Sequence, residues 1–236
     1  MDVLVDYNNV REVDRRRGVV FVVDRIVQSL GPEHLRQSKR VAVRLYDGWY
    51  ENQTLTRKAQ EIAAQVLANT PTAFTLGDGS TQTKIVVNIE LAYSLKSAPA
   101  QHIWHTYRPK NCPGDISFRQ PAAAGCKNPN CPLLATYRFL KDRCCPMSGC
   151  RITPEAFLYR SEQKLVDTMI AADLFAVHLQ SSRKVAVVTS DDDLWPPIKL
   201  LLQLGVQVFH IHTIPNRRTP AMYCRDAGTD YIQLEL

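Results

Sequence analysis

Val185-Ala186-Val187-Val188-Thr189-Ser190-Asp191-Asp192-Asp193-Leu194 is an apolar, largely β-branched run that stops at three carboxylates. A short run of this kind reads as a buried strand, because β-branched side chains suit a pleated surface. Near the start of the chain, Val3-Leu4-Val5-Asp6-Tyr7-Asn8-Asn9 repeats the pattern. Each stretch delivers acid to the C-terminal tip of a strand. In a parallel sheet those tips share one side, where open α/β folds place their ligand crevice. Carboxylates crowded there repel one another unless a cation sits among them. Oxygen-only ligands of this kind suit Mg²⁺ or Mn²⁺.

Working outward, strands alternate with helices. Gly18–Leu30 carries Val19, Val23, Ile26, Val27 and Leu30 at helical spacing, stopped by Gly31-Pro32. Residues 41–46 read as a second strand, ended by the Asp47-Gly48 turn. Residues 53–69 read as a helix. Ile85, Val87, Ile89 and Leu91 alternate with polar neighbours, a half-exposed strand for which 103–107 is the expected hairpin partner. Residues 161–180 read as a helix, 194–204 as a helix with Pro196 and Pro197 in its first turn, and 206–211 as a strand. Residues 231–234 suit a last edge strand. This order predicts an α/β fold with a mostly parallel sheet and helices on both faces.

The helix over 161–180 brings Lys164-Leu165-Val166-Asp167 to the same side as the strand tips, so Asp167 joins Asp6, Asp191 and Asp193. Asp173 lies about one and two-thirds turns further on. One or two divalent ions among these acids would bind a scissile phosphate and activate a water, with Asn9 holding a phosphate oxygen or a water. Taken singly, each aspartate also suits a turn or a helix cap. A net charge of +6 favours a polyanionic partner. Arg15-Arg16-Arg17 follows the first strand and is a candidate grip on a nucleic-acid backbone. No run approaches the roughly 20 apolar residues of a membrane span. No secretory signal is visible, so the expected compartment is the cytoplasm and no membrane partner is expected.

These motifs resemble the NYN domains of the PIN-like nuclease superfamily. Asp6-Tyr7-Asn8-Asn9 matches the family's Asp-x-x-Asn strand end. Lys164-Leu165-Val166-Asp167 with Asp173 matches its Lys-x-Val-Asp helix start and the second acid six residues on. Thr189-Ser190-Asp191-Asp192-Asp193-Leu194 matches its Ser-x-Asp-x-Asp-Phe stretch, with Thr for Ser and Leu for Phe. The resemblance covers about 1–96 and 152–236. It implies a three-layer α/β/α sandwich and Mg²⁺- or Mn²⁺-dependent hydrolysis of RNA. It carries the catalytic and metal-binding role onto Asp6, Asp167, Asp191 and Asp193, and a catalytic role onto Asn9 and Asp173.

Between 97 and 154 lie eight of the fourteen prolines, and six of the seven cysteines fall between 112 and 150. Such breaker density predicts a loop-rich insertion, drawn at 97–151, without long regular elements. Four residues separate Cys126 from Cys131, and four separate Cys145 from Cys150. Two such pairs flanking a loop suit a structural Cys₄ zinc site. Cys112 or Cys144 are alternative ligands, as are His102 and His105. The insertion would extend the RNA surface, gate the cleft, or dock a protein partner or a second copy of the chain. Two other readings stay open: an RNA-binding or scaffold protein with weak turnover, and a DNA nuclease of the flap-endonuclease type.

Overall fold

The computed structural model describes residues 1–35, 38, 40–77, 82–111, 117–180 and 182–236. The first elements are β1 (Asp2–Asp6), α1 (Glu12–Arg15), α2 (Val19–Leu35), β2 (Arg40–Tyr46), β3 (Tyr50–Glu51), β4 (Thr54–Leu55) and α3 (Arg57–Asn69). Then come β5 (Thr72–Leu76), β6 (Thr83–Leu91), β7 (Tyr107–Asn111), α4 (Leu133–Asp142), α5 (Pro154–Phe157), β8 (Tyr159–Gln163) and α6 (Val166–Leu179). The chain ends with β9 (Lys184–Val188), a 3-10 turn (Asp192–Leu194), α7 (Trp195–Gln203), β10 (Gln207–His212), α8 (Ala221–Cys224) and β11 (Tyr231–Glu235). Two compact units emerge, 1–107 with 163–236, and 108–162.

Seven strands make one sheet in the order β11-β10-β9-β1-β2-β6-β5, parallel throughout except where β5 runs against β6. A second, four-stranded mixed sheet has the order β4-β3-β7-β8. From β1 the chain builds outward one way through β2 and β6, and later the other way through β9, β10 and β11. The direction reverses between β1 and β9. In a parallel sheet that point opens a crevice at the C-terminal strand ends.

Side chains alternate across a strand, so β1 feeds two cores. Val3 and Val5 pack with Val22, Val23 and Ile26 of α2 and with Ala59 and Ile62 of α3. Leu4 packs with Ile170 and Leu174 of α6 and with Ile198 and Leu201 of α7. The apolar positions 185–188 of β9 are buried on both faces, as a central parallel strand requires. Asp6 shares the parity of Leu4 and therefore faces the α6 side.

The structure departs from the sequence reading at several elements. The antiparallel partner of β6 is β5, while Ile103 N–H donates to Tyr93 O at 2.8 Å, beside the bridge Ser94–His102, and Tyr107 pairs with Glu51 of β3. His105 adopts a left-handed backbone (φ 59°), which breaks the extended run there. The helix expected over 161–180 begins only at Val166. Tyr159–Gln163 is strand, Lys164 N–H donates to Thr106 O at 2.9 Å, and Leu165 is left-handed at φ 67°. The polar stretch 10–17 contains the short helix α1. Within the second unit, α4 runs for ten residues because Leu133–Asp142 holds neither proline nor glycine. Among the described residues, no helix is long and apolar enough to cross a membrane.

Candidate functional site

Asp6 is 6 % exposed at the end of β1, where Val5 is in register with Val188. The next residue of the β9 stretch, Thr189, ties two acids together. Its Oγ1 donates to Asp6 Oδ2 at 3.2 Å and accepts the Asp191 N–H at 3.1 Å. Asp191 in turn caps the 3-10 turn, its Oδ1 accepting the Asp193 N–H at 3.0 Å. Asp193 is exposed beyond it. Asp167 sits in the first turn of α6. The intervening Asp192 is engaged elsewhere, by Arg217 at 2.5 Å.

Two carboxyls of this group, Asp6 and Asp167, are raised by burial and by neighbouring acids. Burial pushes Asp6 up to about 6, and Asp167 and Asp47 push the same way, against hydrogen bonds from the Asn9 N–H and Thr189. Partial burial raises Asp167 above the usual carboxylate range, and Asp191 and Asp193 add to it. Three separate segments thus converge electrostatically at the crevice. Among the described residues, no group of three His, Cys, Asp or Glu side chains is close enough to hold a metal ion as it stands.

Asn9 acts as a clasp. Its Oδ1 accepts the Ser190 N–H at 2.7 Å and the Thr213 hydroxyl at 2.6 Å, and its own N–H donates to Asp6 Oδ1 at 3.2 Å. Ser190 Oγ accepts the N–H groups of Thr213 and Ile214 at 2.8 and 3.0 Å. The ends of β1, β9 and β10 are thereby fixed to one another. Ser190, Thr189 and Thr213 are contributors that the motif reading did not single out. The hydroxyls after β9 were visible in sequence, but the part played by Thr213 depends on strand order.

Asp173 is not brought to this group. It is fully buried, pairs with Arg44 Nε at 3.0 Å, and accepts the Tyr46 hydroxyl at 2.6 Å and the Lys96 N–H at 2.7 Å. Asp47 is held by Lys58 and the Gly48 N–H. Arg16 pairs with Glu12 at 2.6 Å, Arg17 lies 3.6 Å over the Phe21 ring, and Arg15 reaches Asn8 Oδ1 at 3.4 Å. His210 hydrogen-bonds the Tyr231 hydroxyl and Thr189 O, and burial followed by His212 lowers it to about 3, so it packs as a neutral ring. Trp49 is buried in the core with its Nε1 on Leu45 O, unavailable for stacking on a base.

In the unit 108–162 the cysteines form two separate groups. Cys131 hydrogen-bonds Cys126, whose thiol is lowered first by the Asn128 backbone and then by Cys131. Cys145 and Cys150 line an apolar cavity of about 340 Å³ with Phe139, Ile152 and Phe157. Each group offers two thiols, but the four are not gathered around one point. Cys144 is exposed, and Cys112 lies outside the described residues.

No family model matches the chain, and no curated protein or solved structure matches it either.

The raised acid predicts an unusual pH response. An Asp6 carboxyl at about 6 in the folded chain, against about 4 unfolded, keeps its proton more tightly when folded. Stability is then lost as pH rises from about 4 to about 6, by up to about 3 kcal/mol. In EDTA, Asp6→Asn should therefore raise the melting temperature at pH 7.5 by roughly 5–10 °C and have little effect near pH 4. Scanning calorimetry at both pH values checks this; an Asn variant no more stable than the parent at pH 7.5 excludes the buried-charge account.

Proposed function

We propose that this protein is a Mg²⁺- or Mn²⁺-dependent ribonuclease of the NYN type, built on a PIN-like three-layer α/β/α sandwich. One observation carries the reading: Asp167 raises Asp6, and Asp191 and Asp193 raise Asp167, so acids from three distant segments lie within electrostatic reach near the sheet's switch point. Asp6 and Asp167 are both held above the ordinary carboxylate range, which a cation between them would relieve. Mg²⁺ is commonly bound through one or two carboxylates, with water and substrate phosphate completing its shell. Such an ion supplies a Lewis acid for the phosphoryl oxygens and an activated water.

The chain's own residues prepare that site. Thr189 orients Asp6 and the Asp191 backbone together. Asn9 holds the three strand ends so that the acids keep their separation. Burial of Asp6 leaves its charge uncompensated until a cation arrives. None of these roles needs a side-chain nucleophile.

The test is direct. Purified protein should cleave a mixed single-stranded and structured RNA with Mg²⁺ or Mn²⁺, stop in EDTA, and leave matched DNA largely intact. Cleavage of DNA in preference to RNA would move the assignment to a DNA nuclease. Among the described residues no three carboxylates lie within reach of one ion, which favours a second reading, an RNA-binding protein without turnover. Tight RNA binding with no cleavage in any divalent metal would establish it. Structural zinc in the cysteine-bearing unit is part of the same proposal, supported by the two thiol pairs. Elemental analysis of that preparation should find about one zinc per chain, and a zinc-free, fully folded chain would exclude it.

A further inference from the structure

Beside the acids, between the end of β1, α1 and α3, lies a groove of about 500 Å³ lined by Tyr7, Arg15, Arg16, Lys58 and Gln65 together with two glutamates. Most of its charges are already matched. Arg16 pairs with Glu12, Lys58 with Asp47, and Glu61 with Arg57 at 2.8 Å. Arg15 has no carboxylate partner among the described residues. Among the described residues, its side chain makes one hydrogen bond, the weak one to Asn8 Oδ1, and its buried Nε has no acceptor. At the floor of the groove Tyr7 is 1 % exposed, and its hydroxyl also has no hydrogen-bond partner among the described residues. Lys58 Nζ lies 5.5 Å from the centre of the Tyr7 ring. A tyrosine hydroxyl is an O–H donor throughout the physiological pH range.

An unmatched guanidinium and an unmet buried hydroxyl, side by side in one groove, are a donor set without its acceptor. Folded proteins satisfy nearly all such groups. The acceptor that suits both is a phosphate oxygen, since guanidinium–phosphate pairs are among the stronger charge-assisted hydrogen bonds. A carboxylate ligand would offer fewer oxygens, and the neighbouring glutamates, already present, have not taken the position. We propose that this groove is a phosphate subsite in which Arg15 and the Tyr7 hydroxyl hold a phosphate of the substrate strand other than the one cleaved. The strand as carrier rests on the ribonuclease reading; binding of phosphate itself does not. Tyr7 directly follows Asp6, so the subsite would fix the strand's register against the acids.

The full-length protein in EDTA, titrated with inorganic phosphate at constant ionic strength, tests this by NMR. Phosphate should shift the Tyr7 amide and the Arg15 Nε–H. Arg15→Gln should weaken binding by about tenfold, as loss of a charge-assisted pair predicts. Tyr7→Phe should weaken it by a few-fold without lowering the melting temperature, because the hydroxyl removed has no partner to lose. A 5′-phosphorylated RNA decamer binding more tightly than its 5′-hydroxyl form would assign the subsite to a strand terminus. Equal binding of both, each weakened by Arg15→Gln, would assign it to an internal phosphate. Unshifted Tyr7 and Arg15 signals, or wild-type phosphate affinity in both variants, would overturn the proposal. So would a destabilised Tyr7→Phe, which would mean that the hydroxyl is already satisfied. If phosphate binds as described while RNA stays uncut in every metal, the ribonuclease reading fails and the subsite stands.

Discussion

Asp191→Asn is expected to lower divalent-dependent RNA cleavage by at least about 1,000-fold, while leaving the fold intact. A held cation contributes several kcal/mol of charge stabilisation to phosphoryl transfer, and each 1.36 kcal/mol is about tenfold in rate. The variant separates chemistry from structure unusually well. Asp191 has one structural duty, capping the 3-10 turn through the Asp193 N–H. Asparagine caps about as well as aspartate, and the Asp191 N–H bond to Thr189 is a backbone contact that the substitution leaves in place. The circular dichroism spectrum and the urea midpoint should therefore match the parent. RNA affinity in EDTA should change little, since the groove beside Tyr7 is untouched. Single-turnover cleavage with a labelled RNA in Mg²⁺ and in Mn²⁺ is the measurement. Unchanged cleavage in a folded variant would remove Asp191 from the site and with it the convergence on which the reading stands.

The contrast between Asp191 and Asp173 shows what a sequence can and cannot disclose. Acids at the tips of β1 and β9 were legible because the runs before them are apolar and β-branched, and such runs have few alternatives to a central strand. The parallel arrangement of those strands followed from the helices between them. Strand β5 was hidden behind Pro71, and β8, with the polar sequence Tyr-Arg-Ser-Glu-Gln, has no apolar alternation to announce it. Both exist because a neighbour supplies hydrogen bonds, which is information held elsewhere in the chain. Asn9 reads as a ligand in sequence, yet its carbonyl is occupied by groups 181 and 204 residues away. The cysteine spacing was legible as pairs, whereas their convergence depends on how the loops between them fold. Asp173 takes a catalytic role from the resemblance alone, as the second acid of the helix whose first turn holds Asp167. Its partner Arg44 comes from β2, 129 positions earlier, counting 173 − 44, and no local pattern links the two.

That partnership makes Asp173 the residue whose loss should cost most in stability. Arg44 is 7 % exposed and Asp173 fully buried, so the pair sits in the core between β2 and α6. Asp173→Ala would strand the guanidinium beside Glu90 and Ser94 O alone, and would leave the Tyr46 hydroxyl and the Lys96 N–H without acceptors. Breaking a buried pair by deleting one partner typically costs about 3–5 kcal/mol, against a total stability of roughly 5–15 kcal/mol. With a urea slope of about 2 kcal/mol per molar, the midpoint should fall by about 2 M, or the chain should fail to fold. Asp173→Asn provides the discriminating arm. It keeps an acceptor oxygen for Tyr46 and loses the charge, so it should fold with a smaller loss. If Asp173 is the internal anchor that its contacts describe, the folded Asn variant should retain cleavage within about tenfold of the parent, unlike Asp191→Asn. If instead the Asn variant folds normally and is as inactive as Asp191→Asn, then Asp173 belongs with the acids at the crevice. The Arg44 pair would in that case be a resting contact that opens when the site is loaded.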